Sequence, residues 1–182
     1  SPMGRREAPV FPLGPAFISA HLKARGHTVS GVDLSLQANP VPALLRKLKE
    51  TEPDVAAVSL RNIDDSGWPV TWSYMDAFGM VMEALREFPG TLVVGGTGFS
   101  IYASVILERW PWIRFGISGE GDAVFPSLLE RIEAGVPPAE RLLNSPLADV
   151  ETLLNPDYTV FPLSDYPGRG SIGVQSRRGC PF

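Results

Sequence analysis

The sequence has one cysteine, Cys180, and two histidines, His21 and His27. A single thiol excludes an internal disulfide framework and any all-cysteine metal site built within the chain. Basic residues are few and spread out. Lys and Arg number 16 against 20 Asp and Glu, a net charge of -4, and no segment concentrates them as a nucleic-acid footprint requires. Long apolar runs are missing as well. Stretches such as 55–58 and 92–94 are far too short to span a bilayer. The opening Ser1-Pro2-Met3-Gly4-Arg5-Arg6 leads into no apolar region of the kind a secretory signal carries. The expected setting is soluble, reducing and cytoplasmic, with no membrane or nucleic-acid partner.

What the chain does have is a core and many turns. Hydrophobic residues at 44% exclude a disordered polymer. Glycine and proline, 18 of each, predict frequent loops between regular elements. Residues 14–25 set Phe17, Ile18 and Leu22 on one helical face, and Gly26 stops that helix. Residues 27–34 read as a strand with Asp33 near its end. Leu44, Leu45 and Leu48 fall at helical spacing over 42–51. The run 54–60 reads as a strand covered on both faces. Residues 73–88 predict the longest helix, with Ser73 as its N-cap. A strand over 91–94 closes on Gly95-Gly96, and a helix follows over 99–109. A strand over 113–117 and a helix over 125–134 complete the pattern.

Alternating strands and helices predict the α/β class: a doubly wound parallel sheet, Rossmann-like or flavodoxin-like. Ligands of such sheets bind beyond the carboxyl ends of the strands. The loops to search are therefore 35–40, 61–72, 95–98 and 118–122. This domain is read over residues 1–135, with its first strand expected upstream, because the polar opening leads straight into a helix. Residues 136–170 read as a linker, since Pro137, Pro138, Pro146, Pro156, Pro162 and Pro167 break long elements. One helical turn is expected there, near Ala148–Leu154. Residues 171–176 have a strand pattern and lead into a loop with Cys180, so 171–182 reads as the start of a second domain.

The ending SIGVQSRRGCPF (171–182) resembles the first barrel strand and first cluster cysteine of radical S-adenosylmethionine enzymes, whose motif is CxxxCxxC. Upstream, PLGPAFISAHLKARGH (12–27), VDLS (32–35), VSLRNID (58–64), VVGGTGFS (93–100) and GISGEGDAVFPSLLERI (116–132) resemble a second module. It is the cobalamin-binding domain that precedes the barrel in cobalamin-dependent members of that family. The resemblance implies bound cobalamin, with a [4Fe–4S] cluster and S-adenosylmethionine in the full-length protein. Cys180 would then be one of three thiolates on the cluster; on its own, a cysteine near a chain end is an inert thiol. A small-molecule substrate and a radical S-adenosylmethionine barrel in the same protein are the implied partners.

The implied cofactor residues are Ser59, Leu60, Arg61, Asn62, Gly95, Gly96, Thr97, Gly119, Glu120 and Gly121. No catalytic residue is assigned. Gly95 and Gly96 would let backbone approach the nucleotide tail, with Thr97 and Ser100 as hydroxyl donors; a tight strand-to-helix turn explains the same pair. Ser59, buried by pattern, would donate to the tail or be a satisfied core serine. Gly119-Glu120-Gly121 would border the nucleotide side, or be a turn whose Glu120 and Asp122 complement a helix dipole. Trp68 and Trp72 would cover the corrin near Arg61 and Asn62, or pack over the rim of the core. Neither histidine stands in the DxHxxG setting that supplies a cobalt ligand in some cobalamin enzymes.

Three functions fit these residues. The first is the cobalamin-binding part of a radical S-adenosylmethionine enzyme, a methyltransferase by resemblance. The second is a cobalamin-free structural or docking domain of such an enzyme. The third is a stand-alone flavodoxin-type nucleotide domain, opposed by the absence of a Gly-rich phosphate loop before the first helix.

Overall fold

The computed structural model describes residues 10–146, 150–166 and 172–175. The chain divides into two compact units, Ser1–Lys49 with Asp149–Phe182, and Glu50–Ala148.

In the first unit, helix α1 (Leu13–Ala24) starts after Pro12 and buries Ala16, Ser19, His21 and Leu22. Gly26, at φ 88°, ends it as expected. Helix α2 (Pro40–Thr51) turns Ala43 and Leu44 inward. Residues 27–33 differ from expectation. They form no strand, because a strand exists only when a neighbour takes up its backbone bonds, and none among the described residues does. Asp33 instead caps a short 3-10 turn (Leu34–Leu36), accepting from the Ser35 amide at 2.9 Å. Its other carboxylate oxygen accepts from the Tyr166 hydroxyl at 2.7 Å. Burial, together with that bond to Asp33, pushes the Tyr166 phenol above its ordinary range.

Phe11 is 2% exposed and sits among Tyr158, Phe161 and Tyr166, with ring centroids 5.2, 6.1 and 5.4 Å away. Tyr158, Val160, Phe161 and Tyr166 thus join a core although Pro162 forbids a long regular element there; proline restricts hydrogen bonding, not burial. A 3-10 turn at Val150–Thr152 falls where a helical turn was expected. Residues 172–175 carry no strand, and Cys180 lies outside the described residues.

The Lys23 Nζ lies 2.6 Å from Asp157 Oδ2, an ion pair without hydrogen-bond alignment. Burial pushes the Asp157 carboxyl up, but Lys23 and the hydroxyl and amide of Thr159 outweigh it, leaving the group below its usual value. A depressed carboxyl stabilises the fold above the ordinary carboxylate range, and that contribution is lost as pH falls through the folded value. Urea midpoints of the wild type should therefore drop more than those of Asp157→Asn between about pH 5 and about pH 2. Parallel curves for the two proteins would remove the ion pair from the account.

The second unit is a four-stranded, all-parallel sheet in the order β1 (Val55–Ser59), β2 (Thr91–Gly95), β3 (Phe115–Ser118), β4 (Leu142–Asn144). The α/β class read from the sequence is the class observed. Helix α3 (Met75–Ala84) joins β1 to β2. The Ser73 hydroxyl accepts from the Met75 amide at its start. The expected helix over 99–109 is two helices, α4 (Thr97–Ile101) and α5 (Ala103–Arg109). They break at Tyr102, whose φ of -127° is not helical. Helix α6 (Gly121–Glu133) begins before Pro126, which costs only one early backbone bond. β4 falls in the stretch read as linker. Arg141 anchors it, donating from one nitrogen to the carbonyls of Leu107, Pro111 and Ile113 at 3.2, 3.2 and 2.8 Å.

Candidate functional site

The carboxyl ends of β1, β2 and β3 bring most of the expected residues together. Ser59 pairs in register with Gly95, the last residue of β2. Paired residues of a parallel sheet point to one face, and glycine puts no side chain beside the serine. Ala57 and Ser59 are both exposed, so the expected burial of Ser59 is corrected. The apolar run suggested cover on both faces, but this face of β1 is bare. The result is a strip of small residues, Ala57, Ser59 and Gly95, at the edge where ligands of parallel sheets bind. The hydroxyls of Ser59 and of exposed Thr97 have no hydrogen-bond partner among the described residues.

The glycines act differently from expectation. Gly96 has φ 101°, and a Cβ there would lie 2.5 Å from the Leu60 carbonyl oxygen. A Cβ on Gly98 would lie 3.0 Å from the Asn62 carbonyl carbon. These two glycines let the β2–α4 turn press on the 60–62 backbone. The Leu60 carbonyl accepts from Gly98 and Phe99 at 2.9 and 3.3 Å, and the Leu60 amide donates to Gly95 at 2.9 Å. Leu60 thus spends its backbone groups inside the fold and buries its side chain. Only Gly95 has room: a Cβ there would meet the Ile117 carbonyl at 3.4 Å.

Ser100 is not a spare hydroxyl donor, because its proton already goes to the Gly96 carbonyl at 2.9 Å. Gly119, exposed and at φ 92°, donates its amide to Ser100 Oγ at 3.0 Å. Glu120 is the N-cap of α6 without a side-chain cap bond, Gly121 opens the helix, and Asp122 is buried in its first turn. Arg61 and Asn62 are exposed.

Residues 63–74 form an ordered hairpin with a bridge between Asp64 and Ser73. Asp65 accepts from the amides of Gly67 and Trp72 at 2.9 and 2.8 Å. Trp68 is 93% exposed and Trp72 43%, so the Trp68 indole does not pack over the core. Among the described residues no group of three or more His, Cys, Asp or Glu is placed to hold a metal. His21 is buried in α1 and its Nε2 accepts from the Leu154 amide at 3.3 Å; His27 follows Gly26. No helix among the described residues is long and apolar enough to cross a membrane.

Ligands of parallel sheets bind at this carboxyl edge, and comparison with known proteins gives the family. The B12 binding domain family model matches residues 3–129, and the chain belongs to that family. Among individual relatives, the anaerobic magnesium-protoporphyrin IX monomethyl ester cyclase of Cereibacter sphaeroides is 29% identical over 124 residues. That match covers 68% of this chain and 19% of the cyclase. Two structures of the radical S-adenosylmethionine methyltransferase TsrM from Kitasatospora setae share the fold at 22% identity. The one with tryptophan substrate and aza-SAM has a TM-score of 0.65, covering 73% of this chain and 28% of TsrM. The one with cobalamin and a [4Fe-4S] cluster has a TM-score of 0.64, covering 70% and 24%. The chain thus spans less than a third of the length of these relatives.

Proposed function

We propose that the chain binds cobalamin at the carboxyl ends of β1 to β3, as part of a radical S-adenosylmethionine enzyme that transfers methyl groups. The observation that carries the reading is the strip Ala57, Ser59 and Gly95, in a chain that belongs to the B12 binding family. A flat aromatic base needs sheet surface without bulky side chains, and the strip of small residues fits that need. Ser59 and Thr97 would donate hydrogen bonds to the nucleotide tail, with Gly95 beside it. Gly119, Glu120 and Gly121 would border the tail, and Arg61 and Asn62 would face the corrin. Bound cobalamin supplies a cobalt centre able to carry a methyl group. The protein's part is to hold that centre and keep water from it. The sequence around Cys180 supports a cluster and S-adenosylmethionine in the longer protein. The substrate is read only as a small molecule.

Hydroxocobalamin retained after removal of excess, read from its corrin absorbance, tests the reading. Ser59 is exposed, so Ser59→Leu should leave the unfolding free energy from urea titration within about 0.5 kcal/mol of wild type. It should nonetheless abolish retention by filling the strip. A coloured Ser59→Leu protein would move the tail elsewhere. A colourless wild type would favour the cobalamin-free docking domain. One observation favours that second reading: the close approach at Gly96 and Gly98 is made by the Leu60–Asn62 backbone.

A further inference from the structure

The Ser100 hydroxyl is used twice. It donates to the Gly96 carbonyl at 2.9 Å and accepts the Gly119 amide proton at 3.0 Å. The same Gly96 oxygen also accepts the Ser100 amide, at 2.9 Å. One side chain therefore ties the turn after β2 to the turn after β3. Both ends of the tie are backed by other backbone. Behind Gly96 stands Leu60, where a Cβ would lie 2.5 Å from the carbonyl oxygen. Behind Gly119 stands Ser145, where a Cβ would lie 2.8 Å from the carbonyl oxygen. The Ser145 amide in turn donates to Ser118 at 2.8 Å. Each turn is thus held by other backbone on one side and by the Ser100 hydroxyl on the other, and that hydroxyl links the two.

We infer that Ser100 is a positioning residue for the nucleotide tail, holding the 95–98 and 119–121 turns in place relative to each other. The inference rests on the cobalamin reading above and extends it to a residue with no spare hydroxyl proton for the ligand. A residue that positions only the turns bordering the tail should matter for corrinoids with a tail and be indifferent to those without one. A residue that merely supports the fold would affect both alike.

The test measures binding of hydroxocobalamin and of aquacobinamide, which lacks the nucleotide tail, to the full chain. Removing both hydrogen bonds in Ser100→Ala should weaken hydroxocobalamin about tenfold and leave aquacobinamide within about twofold. Ser100→Thr, which keeps the hydroxyl, should restore hydroxocobalamin binding. Should the alanine variant fail to fold, Ser100→Cys keeps the size and weakens both bonds, and the same split is expected. Equal weakening of the two corrinoids, or none, overturns the inference. Amide exchange in the ligand-free protein is the second readout. Gly119 should exchange about tenfold faster in Ser100→Ala while Val93 and Val94 keep their rates. Unchanged exchange at Gly119 overturns the tie whatever the ligand does. A wild type that takes up neither corrinoid refutes the cobalamin reading and the tail assignment with it, while the exchange result judges the tie separately.

Discussion

Gly96→Ala is expected to lose a large share of the stability of the second unit, while Gly95→Ala changes little. The two glycines are neighbours and their sequence context is the same, but their surroundings are not. At Gly96 an alanine meets two penalties. Its φ of 101° is a conformation that side chains rarely adopt, and its Cβ would sit 2.5, 2.9 and 3.0 Å from the oxygen, carbon and nitrogen of Leu60. Backbone cannot swing aside as a flexible side chain can. Moving the Leu60 peptide would break the bonds its carbonyl takes from Gly98 and Phe99 and the bond its amide gives to Gly95. Strain of about 1–3 kcal/mol, added to three lost bonds of about 1 kcal/mol each, gives a cost near 4–6 kcal/mol. A domain of this size has roughly 5–15 kcal/mol in total. At Gly95 the Cβ has 3.4 Å to its nearest neighbour, the Ile117 carbonyl, so the cost should stay below about 1 kcal/mol. Urea midpoints of the two variants decide the matter, and equal midpoints would show that the turn does not rest on Leu60. The comparison also bears on cofactor tests. A Gly96 variant that fails to retain cobalamin says nothing of the ligand, whereas a folded Gly95 variant does.

The second large effect is expected at Phe99. Its side chain is fully buried, and its ring tip occupies the space above Gly116 where a Cβ would otherwise sit. Phe99→Ala should cost about 3–5 kcal/mol through lost burial and the cavity left behind. Gly116→Ala has the opposite defect: it crowds the ring and should cost about 1–3 kcal/mol. The shorter Phe99→Leu makes room for that methyl. The double variant Phe99→Leu with Gly116→Ala should therefore be more stable than the sum of the single losses predicts, by about 1 kcal/mol or more. Strict additivity in urea unfolding would mean that ring and glycine do not share one space.

Sequence reading captured what depends on local pattern. The apolar runs at 55–59, 91–95 and 115–118 became parallel strands because each is short, apolar and bounded by turn residues. β4 was missed because Leu142-Leu143-Asn144 is only three residues long and stands among prolines. What makes it a strand is the edge of β3 and the reach of Arg141, neither of which is local. The reverse error fell on 27–33, where a strand-like pattern finds no partner strand among the described residues. Of the candidate site, the position of the residues at the carboxyl ends of the strands was legible, but their burial and hydrogen bonds were not. Ser59 looked like core because β1 is apolar, and its exposure follows from what lies beside it. The glycines signalled close approach correctly, but nothing in VVGGTGFS says that the approaching atoms belong to Leu60. Ser100 looked like a free donor because a sequence does not show where a hydroxyl proton goes.

The aromatic cluster around Phe11 has a consequence for how the molecule is made. The first unit is discontinuous, and the bond between Tyr166 and Asp33 joins residues 133 positions apart. Closing so long a loop costs entropy before any contact compensates, which slows assembly. The contiguous second unit faces no such delay. During synthesis its strands are complete before Tyr158, Phe161 and Tyr166 leave the ribosome, so Phe11 must wait for them with its apolar face uncovered.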